Sequence, residues 1–188
     1  MPPKVKTTKK DIIKTALELC RKDGKSAINA RRIASALNCS TQPIFSNFKN
    51  MEELDEAVIA SAYEAYLGFL EAEAKSEKYP RYKAFGMAYI RFAKEEKELF
   101  KLLFMRNRKG KNLAPTADFN ESVQMIMQKN EIKSKEKAEL IHLEIWSCVH
   151  GIATMFATSF LELDWEFISN MLTDVYLGIT ARHTAEAK

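Results

Sequence analysis

Apolar residues recur at helical spacing in one segment of the chain after another. In residues 8–23, Ile12/Ile13, Ala16/Leu17 and Cys20 fall on one face, Thr8 is placed to cap the start, and Gly24 to stop it. A shorter stretch follows, with Asn29 as the expected N-cap and Ile33, Ala34 and Leu37 as the buried positions. After the turn "NCS", the stretch "TQPIFSNF" predicts a third short helix, capped by Ser40 and carrying Pro43 in its first turn, where a missing N–H costs little. Ile44 and Phe48 form its apolar side. Small polar side chains form the other. Asn50 then opens a long fourth helix over residues 51–75.

From Pro80 onward the same reading continues. Tyr82, Phe85, Ala88/Tyr89 and Phe92 share a face, "KELFKLLFM" reads as a short helix, and a basic, breaker-rich loop at 106–118 precedes "FNESVQMIMQKNE". Ser134 is the expected cap of a very long helix reaching about Glu162, and Asp164 the cap of a last one with Ile168, Met171, Leu172, Val175 and Ile179 at i, i+3, i+4, i+7 and i+11. The expectation is an all-α chain of about nine helices: a three-helix head over residues 1–50, and a helical-bundle body over 51–188 to which helix 51–75 links it.

Composition agrees. Six Gly and five Pro among 188 residues are few for a sheet protein. The three cysteines, Cys20, Cys39 and Cys148, include no C-x-x-C pair and read as reduced core residues of a cytoplasmic protein. The longest uncharged stretch, Ile145–Leu161, is short for a bilayer span and carries Ser, Thr and His. A buried helix is the simpler reading, and no membrane partner is expected. Charge is uneven along the chain. Residues 1–50 hold eleven Lys/Arg against three Asp/Glu, a net of +8, whereas the other 138 residues hold 18 against 22, a net of −4. A basic head on a mildly acidic body points to a polyanionic partner.

Two short helices joined by a tight turn and buttressed by a longer one are the helix-turn-helix arrangement, in which short polar side chains let the second helix approach base edges in the major groove. The stretch "INARRIASALNCSTQPIFSNFKNMEEL" resembles the DNA-binding head of the TetR family of bacterial transcriptional regulators, over roughly residues 8–56. "WSCVHG", Trp146–Gly151, resembles the Trp-x-x-x-His-Gly signature of one subclass of that family's bodies. The resemblance implies a DNA-contacting set of Lys9, Asn29, Arg31, Arg32, Thr41, Gln42, Pro43, Phe45, Ser46, Asn47 and Lys49. Within it Arg31 would pair with guanine, Gln42 with adenine, and Pro43 would meet a thymine methyl; Lys49 and the lysines Lys4, Lys6, Lys9 and Lys10 would supply phosphate contacts. The chain departs from the family pattern twice: Phe45 stands where the family usually has Tyr, and Met51 where it usually has Lys.

In the body, Phe85, Tyr89, Phe92, Phe104, Met125, Trp146 and His150 are the candidate lining of a site for a small apolar or aromatic effector of unknown identity. Phe156, Phe160, Ile168, Met171, Leu172, Val175 and Ile179 are the candidate dimer surface, since the last two helices carry more apolar surface than one monomer hides. An enzyme is poorly supplied. Glu139-x-x-His142 is a single copy of a di-iron spacing that needs two, it sits at what reads as a solvated helix start, and His183 falls in a fraying tail. No catalytic residue, metal ligand or cofactor is implied. The reading is a homodimeric regulator, expected to be a repressor, that binds double-stranded palindromic operator DNA; the alternatives are a ligand-binding helical protein whose head binds DNA weakly or without specificity, and, further off, a metal-binding helical-bundle enzyme.

Overall fold

The computed structural model describes residues 7–107 and 117–185. Lys4 and Lys6, and most of the basic loop, lie outside the described residues. Within them are nine α-helices, one 3-10 turn (Lys25–Ala27) and no strand. The helices are α1 (Lys9–Asp23), α2 (Ala30–Ala36), α3 (Gln42–Asn47), α4 (Met51–Lys75), α5 (Arg81–Glu95), α6 (Lys97–Phe104), α7 (Ala117–Lys129), α8 (Lys135–Ala157) and α9 (Trp165–Ala185). They make two compact units: the described residues through Gly68 with Glu95–Arg106, and Phe69–Lys94 with the described residues from Asn107 on.

The first unit is built around α1. Thr8 and Asp11 cap its start reciprocally, and Ile12, Ala16, Leu17 and Cys20 are buried. Gly24 ends it at φ 75°, and a Cβ there would meet the Glu98 carboxylate at 2.8 Å. The torsion favours glycine, while the Glu98 carboxylate, at the end of a flexible side chain, could move aside for a Cβ. Asn29 caps α2 by accepting from the Arg32 N–H at 3.0 Å. That helix closes with Asn38 at φ 51°, its N–H on the Ser35 carbonyl, and the Cys39 N–H on the Ala34 carbonyl. This is the left-handed stop usually made by glycine.

At α3 the expected Ser40 cap is not formed: Thr41 occupies the N-cap, its backbone is already helical, and no side chain bonds the first turn. Side-chain capping needs an extended residue there. Ile44 is fully buried and Phe48 nearly so. Asn50 caps α4 through the Glu53 N–H, while the Glu53 carboxylate takes the Lys49 N–H. Leu54, Val58, Ala62 and Tyr66, each four residues on, are its buried line. Helix α6 completes this unit. Leu99, Phe100, Leu102 and Leu103 are buried, Arg21 Nε donates to both Glu96 oxygens (3.1 and 3.0 Å), and Phe104 meets Tyr66 edge-on.

In the second unit α5 is buried on most sides, through Ala84, Phe85, Met87, Ala88, Tyr89, Ile90, Phe92 and Ala93. At Gly86 a Cβ would stand 3.4 Å from Leu172 and 3.6 Å from Val149, ordinary packing distances. Helix α8 ends at Ala157, not near Glu162, with Ser159 at φ 55° in the turn beyond; residues 158–162, expected to be helical, lie past its end, and nothing in their apolar pattern marks that torsion. Asp164 caps α9 as expected, accepting from Glu166 and Phe167. Among the described residues α8 is long and apolar enough to cross a bilayer by length and composition. Its buried face, Ala138, Ile141, His142, Ile145, Val149, Ile152, Ala153 and Phe156, packs within this unit.

Truncating Ile44, which fixes α3 to the head, creates a cavity in a closely packed site. Ile44→Ala is expected to lower stability by about 2–5 kcal/mol in urea unfolding, whereas Phe45→Ala, on the exposed side, is expected to change it little.

Candidate functional site

The packing of α3 sorts its side chains. Ile44 and Phe48 turn inward; Gln42, Phe45 and Ser46 are exposed, and Thr41, Pro43 and Asn47 half-buried. The outward polar groups are not equally available. Ser46 Oγ donates to the Gln42 carbonyl at 2.9 Å and Asn47 Nδ2 to the Pro43 carbonyl at 2.7 Å, so both side chains fold onto their own helix. Gln42 and Phe45, one turn apart, project without such bonds. Phe45 is 52% exposed, a large apolar ring presented to solvent.

The flanking cations divide likewise. Arg31 is exposed and makes no bond within the described residues. Arg32 is engaged by the Asp23 carboxylate. Lys9 Nζ lies 3.0 Å from Glu53 and 4.6 Å above the Phe48 ring. Asn29 is occupied as the α2 cap, and Lys49 is exposed beyond the end of α3. Of the eleven positions proposed from the sequence, Arg31, Gln42, Phe45 and Lys49 are therefore the most open, while Lys9, Asn29, Arg32, Ser46 and Asn47 already hold internal partners.

Three of the seven candidate effector residues come together. His150 stacks on Trp146 (ring centroids 4.7 Å, 21° between planes), its Nδ1 lies 2.9 Å from the Tyr89 hydroxyl, and Tyr89 meets Trp146 edge-on. Burial lowers the His150 pKa, so the ring is neutral near pH 7. Phe92 packs edge-on against Phe69, Phe85 lies beneath the Arg81 guanidinium, and Met125 is half-buried on α7. Phe104 belongs to the first unit, against Tyr66 and Phe100.

Sequence reasoning missed a second pair of the same kind. His142 is buried, not at a solvated helix start: its Nδ1 is 2.9 Å from the Tyr82 hydroxyl, with Phe119 and Tyr176 against the pair. Burial pushes its pKa down to about 4. The signal was available, since Tyr82 and Tyr89 are seven residues apart on α5 while His142 and His150 are eight apart on α8. Two turns of helix bring both pairs into one register. Nor does His183 fray: it is buried within α9 with Nε2 2.9 Å from Glu144.

The proposed dimer residues also separate. Phe156 is buried with its ring parallel to Trp165 at 5.9 Å, and Ile168 and Leu172 fill the interior of their own unit. Met171, Val175 and Ile179 are half-buried, and Phe160 is 79% exposed. Further large apolar side chains lie exposed on the same two helices and the turn between them: Leu140, Leu143, Leu161, Phe167 and Leu177. No group of His, Cys, Asp and Glu suited to a metal ion occurs among the described residues.

Residues 82–173 match the tetracycline repressor-like C-terminal domain, a span running from Tyr82 in α5 into α9 and containing the Trp146–Gly151 fragment. No curated protein matches the chain.

The His142 pKa of about 4 lies below the ordinary 6.5, so the unfolded chain takes up the proton first as pH falls. Its contribution to stability is full above pH 6.5, is lost through the window from 6.5 to about 4, and amounts to about 3 kcal/mol. Urea unfolding over that range should show the decline, and His142→Gln should flatten it.

Proposed function

The chain belongs to the TetR family, and on that premise we propose that it is a DNA-binding transcriptional repressor, acting in the cytoplasm as a homodimer on a palindromic operator and released by a small apolar or aromatic effector. The observation that carries this reading is the head: a helix-turn-helix whose second helix is anchored by Ile44 and Phe48 and exposes Gln42 and Phe45, beside an uncommitted Arg31 and in a segment of net charge +8. Such a surface supplies both the salt-dependent attraction to phosphates and the side chains that meet base edges. Two-fold symmetry would pair two heads with two half-sites.

The exposed apolar side chains of α8 and α9 support the dimer. Leu140 and Leu143 lie one turn apart on α8, followed along the same side by Ser147 and the exposed Gly151, whose position has open space where a Cβ would be. Phe160, Phe167 and Leu177 add rings and branches that a second copy would cover. The effector reading rests on Tyr89, Trp146 and His150, an uncharged aromatic group with a preset hydrogen bond. Binding that prefers one arrangement of the two heads would weaken operator affinity, and operator would weaken effector affinity by the same factor. A second reading, a ligand-binding protein with a weak head, is favoured by the engagement of Lys9 and Arg32 with Glu53 and Asp23, which removes two cations from the phosphate tally.

Selection of bound sequences from a random DNA pool at two salt concentrations separates these readings. An enriched palindrome with steeply salt-dependent affinity is the expected result, and no enrichment would favour the second reading. On the selected operator, Arg31→Ala is expected to cost about 1–3 kcal/mol and to relax one base position, whereas Lys49→Ala should weaken all sequences alike. Leu143→Asp with Phe167→Asp should give a monomer by sedimentation and lower operator affinity; a dimer unchanged by both would place the interface elsewhere.

A further inference from the structure

Phe45 is the least explained side chain on the head. Its ring, 52% exposed on a six-residue helix, is not one of the side chains that fill the core beneath, which are Ile44 and Phe48. It has no hydroxyl to offer a phosphate. It stands one turn after Gln42 on the outward side of α3, with Arg31 and Lys49 as exposed cations of the same head. Meanwhile the two residues after it, Ser46 and Asn47, give their donors to the Gln42 and Pro43 carbonyls. The outward face of α3 therefore presents one free amide and one aromatic ring, with less polar reading power than its composition suggests.

An apolar group facing DNA has a single apolar partner on the base edges of the major groove: the C5-methyl of thymine. We infer that Phe45 is a specificity-determining residue, which reads a thymine methyl in each operator half-site. This rests on the operator-binding reading above and goes beyond it by naming what the half-site must contain. Covering one methyl between ring and groove has the magnitude of burying one CH2 group, which corresponds to about a 4-fold change in affinity. The selectivity arises because cytosine, the other pyrimidine, offers no methyl at C5 for the ring to cover.

The test uses the full-length protein and the operator obtained by selection, with each thymine of a half-site replaced in turn by deoxyuridine, which removes only the methyl. One position is expected to lose about 4-fold in affinity with the unaltered protein, and to lose nothing further in Phe45→Ala. Phe45→Tyr should keep the sensitivity to that methyl and, if its hydroxyl bonds a phosphate, raise affinity without changing the salt slope, because an uncharged hydroxyl releases no counterion. Because the ring is exposed, Phe45→Ala is expected to fold; Phe45→Leu, which keeps an apolar side chain, should retain part of the effect. A deoxyuridine series identical in the parent protein and Phe45→Ala overturns this inference alone. So does an affinity that depends on Phe45 but not on any methyl, which would assign the ring to the sugar-phosphate rim. Failure to select any operator overturns the parent reading as well.

Discussion

A six-residue helix does not persist in water by itself; its few internal bonds do not offset the cost of ordering it. Helix α3 exists because Ile44 and Phe48 are buried in the head, and everything outward-facing about it follows from that one attachment. With those two positions turned inward, Gln42, Phe45 and Ser46 have to face out. The Asn38 turn sets where α3 begins relative to α2, since its left-handed torsion reverses the chain within a few residues. The Asn50 and Glu53 side chains then fix the chain leaving α3 to the start of α4, accepting from the Glu53 and Lys49 backbone N–H groups. The outward surface of α3 is thus a by-product of packing, specified by residues that are themselves buried.

What was legible in the sequence is what local chemistry decides. The caps at Thr8, Asn29, Asn50, Ser134 and Asp164 follow from side chains bonding backbone within three residues, and each forms. The inward positions of α3 follow from spacing alone. What was not legible depends on partners distant in the chain. No local pattern says that Leu99, Phe100, Leu102 and Leu103 belong with α1, or that Glu96 meets Arg21, 75 residues earlier. His142 looked solvated because lysines precede it, yet the helix turns those lysines away and carries His142 to Tyr82. In α9, apolar residues occupy more than one side, so periodicity identifies a buried helix without saying which side meets its own unit. Ile168 and Leu172 face inward there, and Phe167 and Leu177 outward.

The two Tyr–His pairs between α5 and α8 show how one geometric relation serves two environments. At Tyr82–His142 the surroundings are closed by Phe119 and Tyr176, and both groups are held neutral by desolvation. A buried polar pair of this kind fixes the register of α5 on α8, because sliding either helix would leave a donor or acceptor unpaired. At Tyr89–His150 the same bond lies beside half-exposed Trp146, on which the imidazole stacks. The first pair holds the frame in which the second is positioned.

The outward face of α8 and α9 has an electrostatic character that its apolar side chains conceal. From Ala138 to Ala181 the chain contains no Lys or Arg and six Asp or Glu. In the dimer proposed above, two such surfaces would carry an excess of negative charge, reduced where Lys135 and Lys94 reach Glu139 and Glu162, and dissolved ions would ease their mutual repulsion within a Debye length of about 8 Å at physiological strength. A basic head that binds DNA as proposed would behave oppositely, losing its attraction to a polyanion as those ions accumulate. On that reading ionic strength would act as a two-sided control, favouring assembly of the proposed dimer while weakening its grip on nucleic acid. A maximum of operator occupancy at intermediate salt would be the natural consequence of charges divided between the two ends of one chain.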